Sequence, residues 1–215
     1  FNIGKYGKNW FFVNQTLSYN GNEIIYTENA DPLFLESSSY FGIDDPDATN
    51  EGSAGYGAAW GDYDNDNDFD LYLSNWGVNK LFRNDLNGFF SDVTGIYGVS
   101  SDSLSNGVAW GDFNNDGLID LFAGNFAHVD GRGDQPKSRF LQNLGAGQEY
   151  RFKDLGPCGV HYQESYATPS TGDYDNDGNL DVLFTTVYGT ASFGRQNSPV
   201  LFRNNGQFAV TNVTA

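Results

Sequence analysis

The chain has 215 residues, of which 16% are aromatic, and it carries 28 acidic side chains against 11 lysines and arginines. The formal charge of −17 excludes a general binder of nucleic acid or of anionic membranes, because phosphate-rich partners would be repelled. The single cysteine, Cys158, excludes an intrachain disulfide, and no apolar run approaches the roughly 20 residues that a membrane span needs.

Residues 1–53 are the least regular part of the chain. The runs 23–27 and 33–36 predict two strands, and the run 9–13 predicts a further one. These strands resemble the last strands of the unit that repeats after residue 53, but no acidic loop accompanies them. We therefore interpret 1–53 as a diverged unit that ends in an acidic, turn-rich connection.

An acidic decapeptide occurs three times in the rest of the chain, at residues 61–70, 111–120 and 172–181. Counted from its first Asp, oxygen-bearing side chains fall at positions 1, 3, 5 and 9 of every copy. Position 6 is Gly in two copies and Asn67 in the first, and both residue types accept a positive φ. Carboxylates so close together repel one another unless a cation lies among them, and hard oxygen ligands suit Ca²⁺. The pattern therefore predicts one Ca²⁺ for each loop.

Similar short strands flank each acidic loop. A run of small residues ending in Trp precedes the first two loops, while Pro169 to Thr171 stands before the third. Dipeptides of the Asn-Gly type, at 87–88 and 205–206, predict type I′ turns between the last two strands of a unit. The predicted strands after the loops are 71–73, 81–84 and 89–94, then 121–122, 140–143 and 151–155, then 182–184, 201–204 and 208–211.

Each unit is thus predicted to be a four-stranded antiparallel meander of about 50–60 residues, and such a unit cannot bury its two faces alone. Radial stacking of these units gives a β-propeller. The predicted fold is an all-β, propeller-type array of about four blades, namely 1–53, 54–103, 104–166 and 167–215. Three arrangements stay open: a small closed ring, part of a larger ring, or an open stack that completes itself against a neighbouring subunit.

Four motifs in these units resemble the FG-GAP (integrin α-subunit-like) family, in the variant often called VCBS repeats. They are Gly-x-Ala-Trp-Gly-Asp, Asp-x-Asp/Asn-x-Asp-Gly-x-x-Asp, Leu-Phe-Arg-Asn and Phe-x-Asp-Val-Thr. The resemblance covers residues 54–211 and extends less closely to 1–53. It implies a β-propeller with Ca²⁺ in the hairpin loop between the first two strands of a blade.

The resemblance also implies which residues bind the ion. Asn67 departs from the pattern at a small cost in strain, and Asn114 removes one charge, so the middle loop is expected to bind more weakly. An EF-hand is excluded, because its Glu at position 12 is replaced by Leu73, Ala123 and Phe184. The implied side-chain ligands are Asp62, Asp64, Asp66 and Asp70, then Asp112, Asn114, Asp116 and Asp120, then Asp173, Asp175, Asp177 and Asp181, with the backbone carbonyls of Asp68, Leu118 and Asn179.

A secreted protein at the cell surface or outside the cell, whose signal peptide lies outside this chain, fits this composition. Asn14 and Asn212 begin glycosylation sequons. The tripeptide Arg132-Gly133-Asp134 occurs in cell-adhesion proteins, but it is equally typical of a solvated turn. The expected partners are calcium and a protein, a glycan or further copies of the chain.

The expected function is therefore a structural, adhesive or assembly role without enzymatic activity. The alternative is a carbohydrate-binding lectin or a polysaccharide-active enzyme on the same fold. That alternative needs a groove where His128 or His161 meets Arg, Tyr and Trp side chains, with Trp76 as the candidate for stacking on a sugar.

Overall fold

The computed structural model of the chain describes residues 12–14, 17–19, 24–26, 34–36, 42–43, 55–85, 89–99, 102–125, 138–148, 151–160, 166–186 and 199–214. These residues form strands and turns, and no helix occurs among them, which confirms the predicted all-β class. Within the same ranges, therefore, no helix is long and apolar enough to cross a membrane. The strands are β1 Phe12–Asn14, β2 Leu17–Tyr19, β3 Ile24–Tyr26, β4 Phe34–Glu36, β5 Gly55–Gly61, β6 Asp70–Val78, β7 Lys80–Asn84, β8 Phe90–Asp92, β9 Asp102–Gly111, β10 Asp120–Asn125, β11 Arg139–Asn143, β12 Phe152–Gly156, β13 Tyr166–Gly172, β14 Asp181–Thr186, β15 Val200–Asn204 and β16 Val210–Asn212.

Three successive four-stranded antiparallel meanders make up the described part from residue 55 onward. The first meander contains β5–β8, the second β9–β12 and the third β13–β16, and each strand pairs with the next along the chain. The extended ends of β6 and β9 also pair over three residues, so the first two meanders share one eight-stranded sheet. The predicted blade-like units are present as four-stranded sheets.

Alternation along the strands of the second meander gives it two apolar faces. Leu121 and Leu141 face the first meander, where they join a buried cluster with Tyr63 and Tyr72. On the opposite face Phe122 and Phe140 join a second cluster, whose other members come mainly from the third meander. The Phe122 ring lies 5.0 Å from the ring of Phe184, measured between centroids. The meanders therefore stack face to face, as the two-faced strands predict.

The tryptophans before the first two loops differ in burial. Trp110 stacks on Tyr63 with a centroid distance of 6.4 Å, and its ring N–H donates to the carbonyl of Ala59 at 3.2 Å. It therefore packs between two meanders. Trp60, by contrast, is 47% exposed and contacts Phe90 of its own meander.

Two predicted details near the C-terminal hairpin are wrong. A type I′ turn needs a positive φ at both central residues, but at 205–206 only Gly206 has one. The Asn205 side chain instead accepts hydrogen bonds from the N–H groups of Gln207 and Ala209, which builds a longer loop. The last strand consequently begins at Val210 and not at Phe208. Residues 87–88, where the other such turn is predicted, lie outside the described residues.

The described residues between 12 and 36 form four short strands, in two pairs. β1 pairs with β4, and β2 pairs with β3. Strands β3 and β4 fall within the predicted runs 23–27 and 33–36. The division of the chain into four units at 1–53, 54–103, 104–166 and 167–215 stays a prediction; β9 and β13 begin two residues and one residue before the third and fourth ranges.

Candidate metal centres

Each acidic loop joins the first and second strands of its meander. Residues 62–69 connect β5 to β6, residues 112–119 connect β9 to β10, and residues 173–180 connect β13 to β14. This is the hairpin position that the family resemblance implies.

The side chain of the first Asp in each loop accepts hydrogen bonds from two backbone N–H groups of the same loop. In the third loop, Asp173 accepts the N–H of Asp177 on Oδ1 at 3.1 Å and the N–H of Gly178 on Oδ2 at 3.0 Å. Asp62 and Asp112 accept the corresponding two N–H groups of their own loops. The carboxylate at position 5 then accepts the N–H of position 7 in all three copies. Three independent stretches of sequence thus adopt one conformation.

The Asp at position 9 is buried and ties the loop to the third strand. Asp120 accepts the N–H of Phe113 on Oδ2 at 3.0 Å and the N–H of Asn143 on Oδ1 at 2.8 Å. Asp70 and Asp181 make the same pair of contacts in the other two meanders. This Asp therefore has a structural function in addition to its predicted role as a ligand, and a carboxylate that accepts two hydrogen bonds keeps further lone pairs.

Two positions in each loop have left-handed backbone conformations. Position 6 is one of them, as the sequence predicts, with φ of 73° at Asn67, 86° at Gly117 and 88° at Gly178. Position 4 is the other, with φ of 58–59°, and the sequence analysis missed it. The signal was present, since all three copies have Asn at position 4 and Asn enters this region more readily than other residues with a Cβ.

The first loop gathers carboxylate oxygens at one point. One oxygen each from Asp62, Asp64 and Asp70 lies within 4.8 Å of the others. Asp64 Oδ1 is buried and has no hydrogen-bond partner among the described residues. A buried carboxylate oxygen without a donor is costly unless something else satisfies it. Three carboxylate oxygens close together, in a loop where one carboxylate oxygen lacks a hydrogen bond, fit a Ca²⁺ ion.

The middle loop has a different chemistry at position 3. The amide of Asn114 donates to Asp116 Oδ2 at 2.8 Å, so a carboxamide stands where the other loops have a carboxylate. Asp112, Asp116 and Asp120 are its charged residues. The weaker cation binding expected of this loop follows from that lower charge and stays a prediction.

The third loop again brings three carboxylates together. Oxygens of Asp173, Asp175 and Asp177 lie within 4.8 Å of one another. Two of these carboxylates also contact a guanidinium group, because Arg203 on β15 reaches Asp175 and Asp177 at 2.8 Å each. The third loop therefore already contains one positive charge.

Burial and mutual repulsion disfavour ionisation of several of these carboxylates. Burial raises the pKa of Asp70 and that of Asp120 to about 7, although backbone hydrogen bonds to each carboxylate oppose the rise. Burial also raises the pKa of Asp64, and the neighbouring Asp66 adds to that effect. By contrast, the pKa of Asp177 is lowered, first by the N–H of Asn179 and then by Arg203. A cation in the loop would favour the ionised form of every one of these groups.

The first two loops each contact the meander that follows them in the chain. The Asn143 side chain donates to the carbonyl of Tyr63 at 2.7 Å, and that of Asn204 donates to the carbonyl of Phe113 at 2.8 Å. Arg151 adds a second donor to the Tyr63 carbonyl and lies over the Tyr63 ring. The loops themselves are linked, because the Asn115 amide donates to Asn179 Oδ1 at 2.9 Å.

Several predicted functional residues are not tested by this structure. His128, His161 and residues 132–134 lie outside the described part, so the carbohydrate-active alternative and the adhesion tripeptide stay predictions. Asn14 lies in β1, and Asn212 is exposed at the end of β16 with its side chain accepting the N–H of Thr214. Trp76 comes after the predicted strand 71–73, but it lies in β6 and pairs with Leu104 of β9. The carbonyl ligands at position 7 also stay predictions.

Comparison with known families agrees with this architecture. Residues 62–123, from the first acidic loop into β10, match the model of the FG-GAP-like repeat family. This match confirms, over residues 62–123, the resemblance to that family which the sequence motifs show. No curated protein matches the chain.

Proposed function

We propose that the chain is a calcium-binding FG-GAP-like repeat protein whose ions hold the acidic hairpin loops in shape. The observation that carries this proposal is the first loop, where three carboxylates converge on a point and one buried oxygen, Asp64 Oδ1, has no donor. The repetition of the same hydrogen bonds in three loops supports one ion for each. Oxygen-only donors in a flexible loop favour Ca²⁺ over metals that prefer nitrogen or sulfur.

The exposure of the loops also indicates where we propose that the protein functions. The residues at positions 4 to 6 of every loop are exposed to solvent, which is more typical of low-affinity Ca²⁺ sites than of buried high-affinity ones. Extracellular calcium modules bind with Kd values of about 10⁻⁴–10⁻³ M. We therefore propose a structural, adhesive or assembly role outside the cell or at its surface, in which Ca²⁺ maintains the stacked meanders and the surfaces beside the loops contact a partner.

Thermal unfolding with and without Ca²⁺ tests this proposal. An ion that binds only the folded form adds about 2.7 kcal/mol at a hundredfold excess over Kd, so the Tm is expected to rise in Ca²⁺ and to fall in EGTA. Asp64→Asn is expected to reduce this Ca²⁺-dependent rise. Asp154→Asn is the matched control, because that carboxylate pairs with Arg139 outside the loops. Equal Tm values in Ca²⁺ and in EGTA would overturn the proposal.

A further inference from the structure

We propose that Arg203 is a tethered counter-cation of the third loop, which competes with Ca²⁺ for Asp175 and Asp177. Ca²⁺ then binds this loop more weakly than its four carboxylates alone would predict. The inference rests on the proposed function, because it concerns the affinity of a loop for the ion that we propose for it.

The contacts of Arg203 define this competition. Its Nε lies 2.8 Å from Asp175 Oδ2, and its terminal nitrogen lies 2.8 Å from Asp177 Oδ2. Asp175 and Asp177 occupy positions 3 and 5 of the loop, which also converge with Asp173. One guanidinium thus pairs with two of the three carboxylates that converge in this loop. The Arg203 side chain is 49% exposed, so it has room to leave when an ion enters.

The first meander shows that such an arginine need not contact its loop. Arg83 occupies the same place in the Leu-Phe-Arg-Asn run, but it pairs with Asp85 at 2.6 Å, two residues further on. In the third meander the corresponding residue is Asn205, whose side-chain oxygen accepts two backbone N–H groups. Arg203 therefore has no carboxylate two residues further on, and it pairs with Asp175 and Asp177 of the loop. The residue two positions after the arginine thus differs between the two meanders, with Asp85 in the first and Asn205 in the third.

The second meander shows that the position tolerates a neutral side chain. There Gln142 stands where the other two meanders have Arg. Arg203→Gln therefore copies a residue that the fold already accepts, and it removes the competing charge without removing a ligand. Each exposed ion pair is individually weak, so we expect the loss of both to tighten ion binding by about three- to tenfold.

Nuclear magnetic resonance can follow the loops separately. The amide N–H of Gly178 donates to Asp173, and that of Gly117 donates to Asp112, so each amide signal reports on its own loop. In a Ca²⁺ titration of the whole chain, Arg203→Gln is expected to move the midpoint of the Gly178 signal to about three- to tenfold lower Ca²⁺. The Gly117 midpoint is expected to move less. Arg83→Gln is the matched control and is expected to move neither.

The possible results separate the two proposals. If neither amide of the native protein responds to millimolar Ca²⁺, the proposal of one ion for each loop fails. If both respond but the Gly178 midpoint is the same in Arg203→Gln as in Arg83→Gln, the role of Arg203 is overturned. Should Arg203→Gln fail to fold, Arg203→Lys retains the charge but loses the two-point contact, and its Gly178 midpoint is expected to lie below that of the native protein. An unchanged midpoint in Arg203→Lys would then contradict the inference.

Discussion

At the scale of single residues, the loops depend on backbone conformations that few side chains adopt. Position 6 has a left-handed φ in every copy, and only the first loop has a residue with a Cβ there, Asn67 at φ 73°. Asn enters this region at a modest cost, whereas Ala and most other residues pay about 1–2 kcal/mol. Asn67 therefore preserves the loop although it departs from the family pattern.

Two substitutions of Asn67 test how much its positive φ matters for the stability of the protein. Asn67→Ala is expected to lower the free energy of unfolding by about 1 kcal/mol, because Ala adopts positive φ poorly. Asn67→Gly accepts the same φ and is expected to stay close to the native protein. Urea denaturation in EGTA measures the effect without bound Ca²⁺. Equal stabilities of the two variants would contradict a left-handed conformation at this position.

The sequence predicted the acidic positions of the loops because they recur at fixed spacing. It did not predict that Asp70, Asp120 and Asp181 bind two backbone N–H groups each, because the donor Asn residues come from strands far along the chain. The contact of Arg203 was missed for a related reason. The Leu-Phe-Arg-Asn run occurs in two meanders, and the direction of its Arg depends on whether Asp85 or Asn205 follows.

At the scale of elements, the meanders approach so closely that the first glycine of the decapeptide has a packing function. A Cβ on Gly61 would lie 2.8 Å from the ring of Trp110 and from Ile119 of the second meander. A Cβ on Gly111 would lie 2.9 Å from Leu180 of the third. Gly172 has no atom within 4 Å of the same point, because no meander packs there in the described structure.

These three equivalent glycines give a matched test of the stacking. Gly61→Ala is expected to destabilise the protein by about 1–3 kcal/mol, since the rigid indole of Trp110 must move. Gly172→Ala is expected to have little effect. Chemical denaturation of both variants measures the difference. If Gly61→Ala were as stable as Gly172→Ala, the contact between the first and second meanders would not be as described.

The order of the strands could be predicted from the sequence, whereas one strand pairing and one turn could not. Alternating apolar residues and the repeated loops predicted the meanders because both signals are local. The pairing of β6 with β9 could not be predicted, since it joins strand ends that meet only after the meanders have stacked. The turn at 205–206 was predicted from a dipeptide, but the Asn205 side chain stabilises a different loop.

At the scale of the whole molecule, one face of the third meander is open. Tyr63 and Phe113 are fully buried beneath the following meander, whereas the equivalent Tyr174 is 48% exposed. Leu183 on the same face is 41% exposed, although its counterpart Phe122 is buried. Among the described residues, therefore, nothing covers this face of the third meander, and the three arrangements stay predictions.

The proposed binding of Ca²⁺ by the three loops is tested most directly by the number of ions bound per chain. Isothermal titration calorimetry of the EGTA-stripped and dialysed protein measures this number. About three Ca²⁺ per chain are expected, one for each loop, and the Asn114 loop is expected to be among the weaker sites. Binding of no Ca²⁺ at millimolar concentration would contradict this proposal.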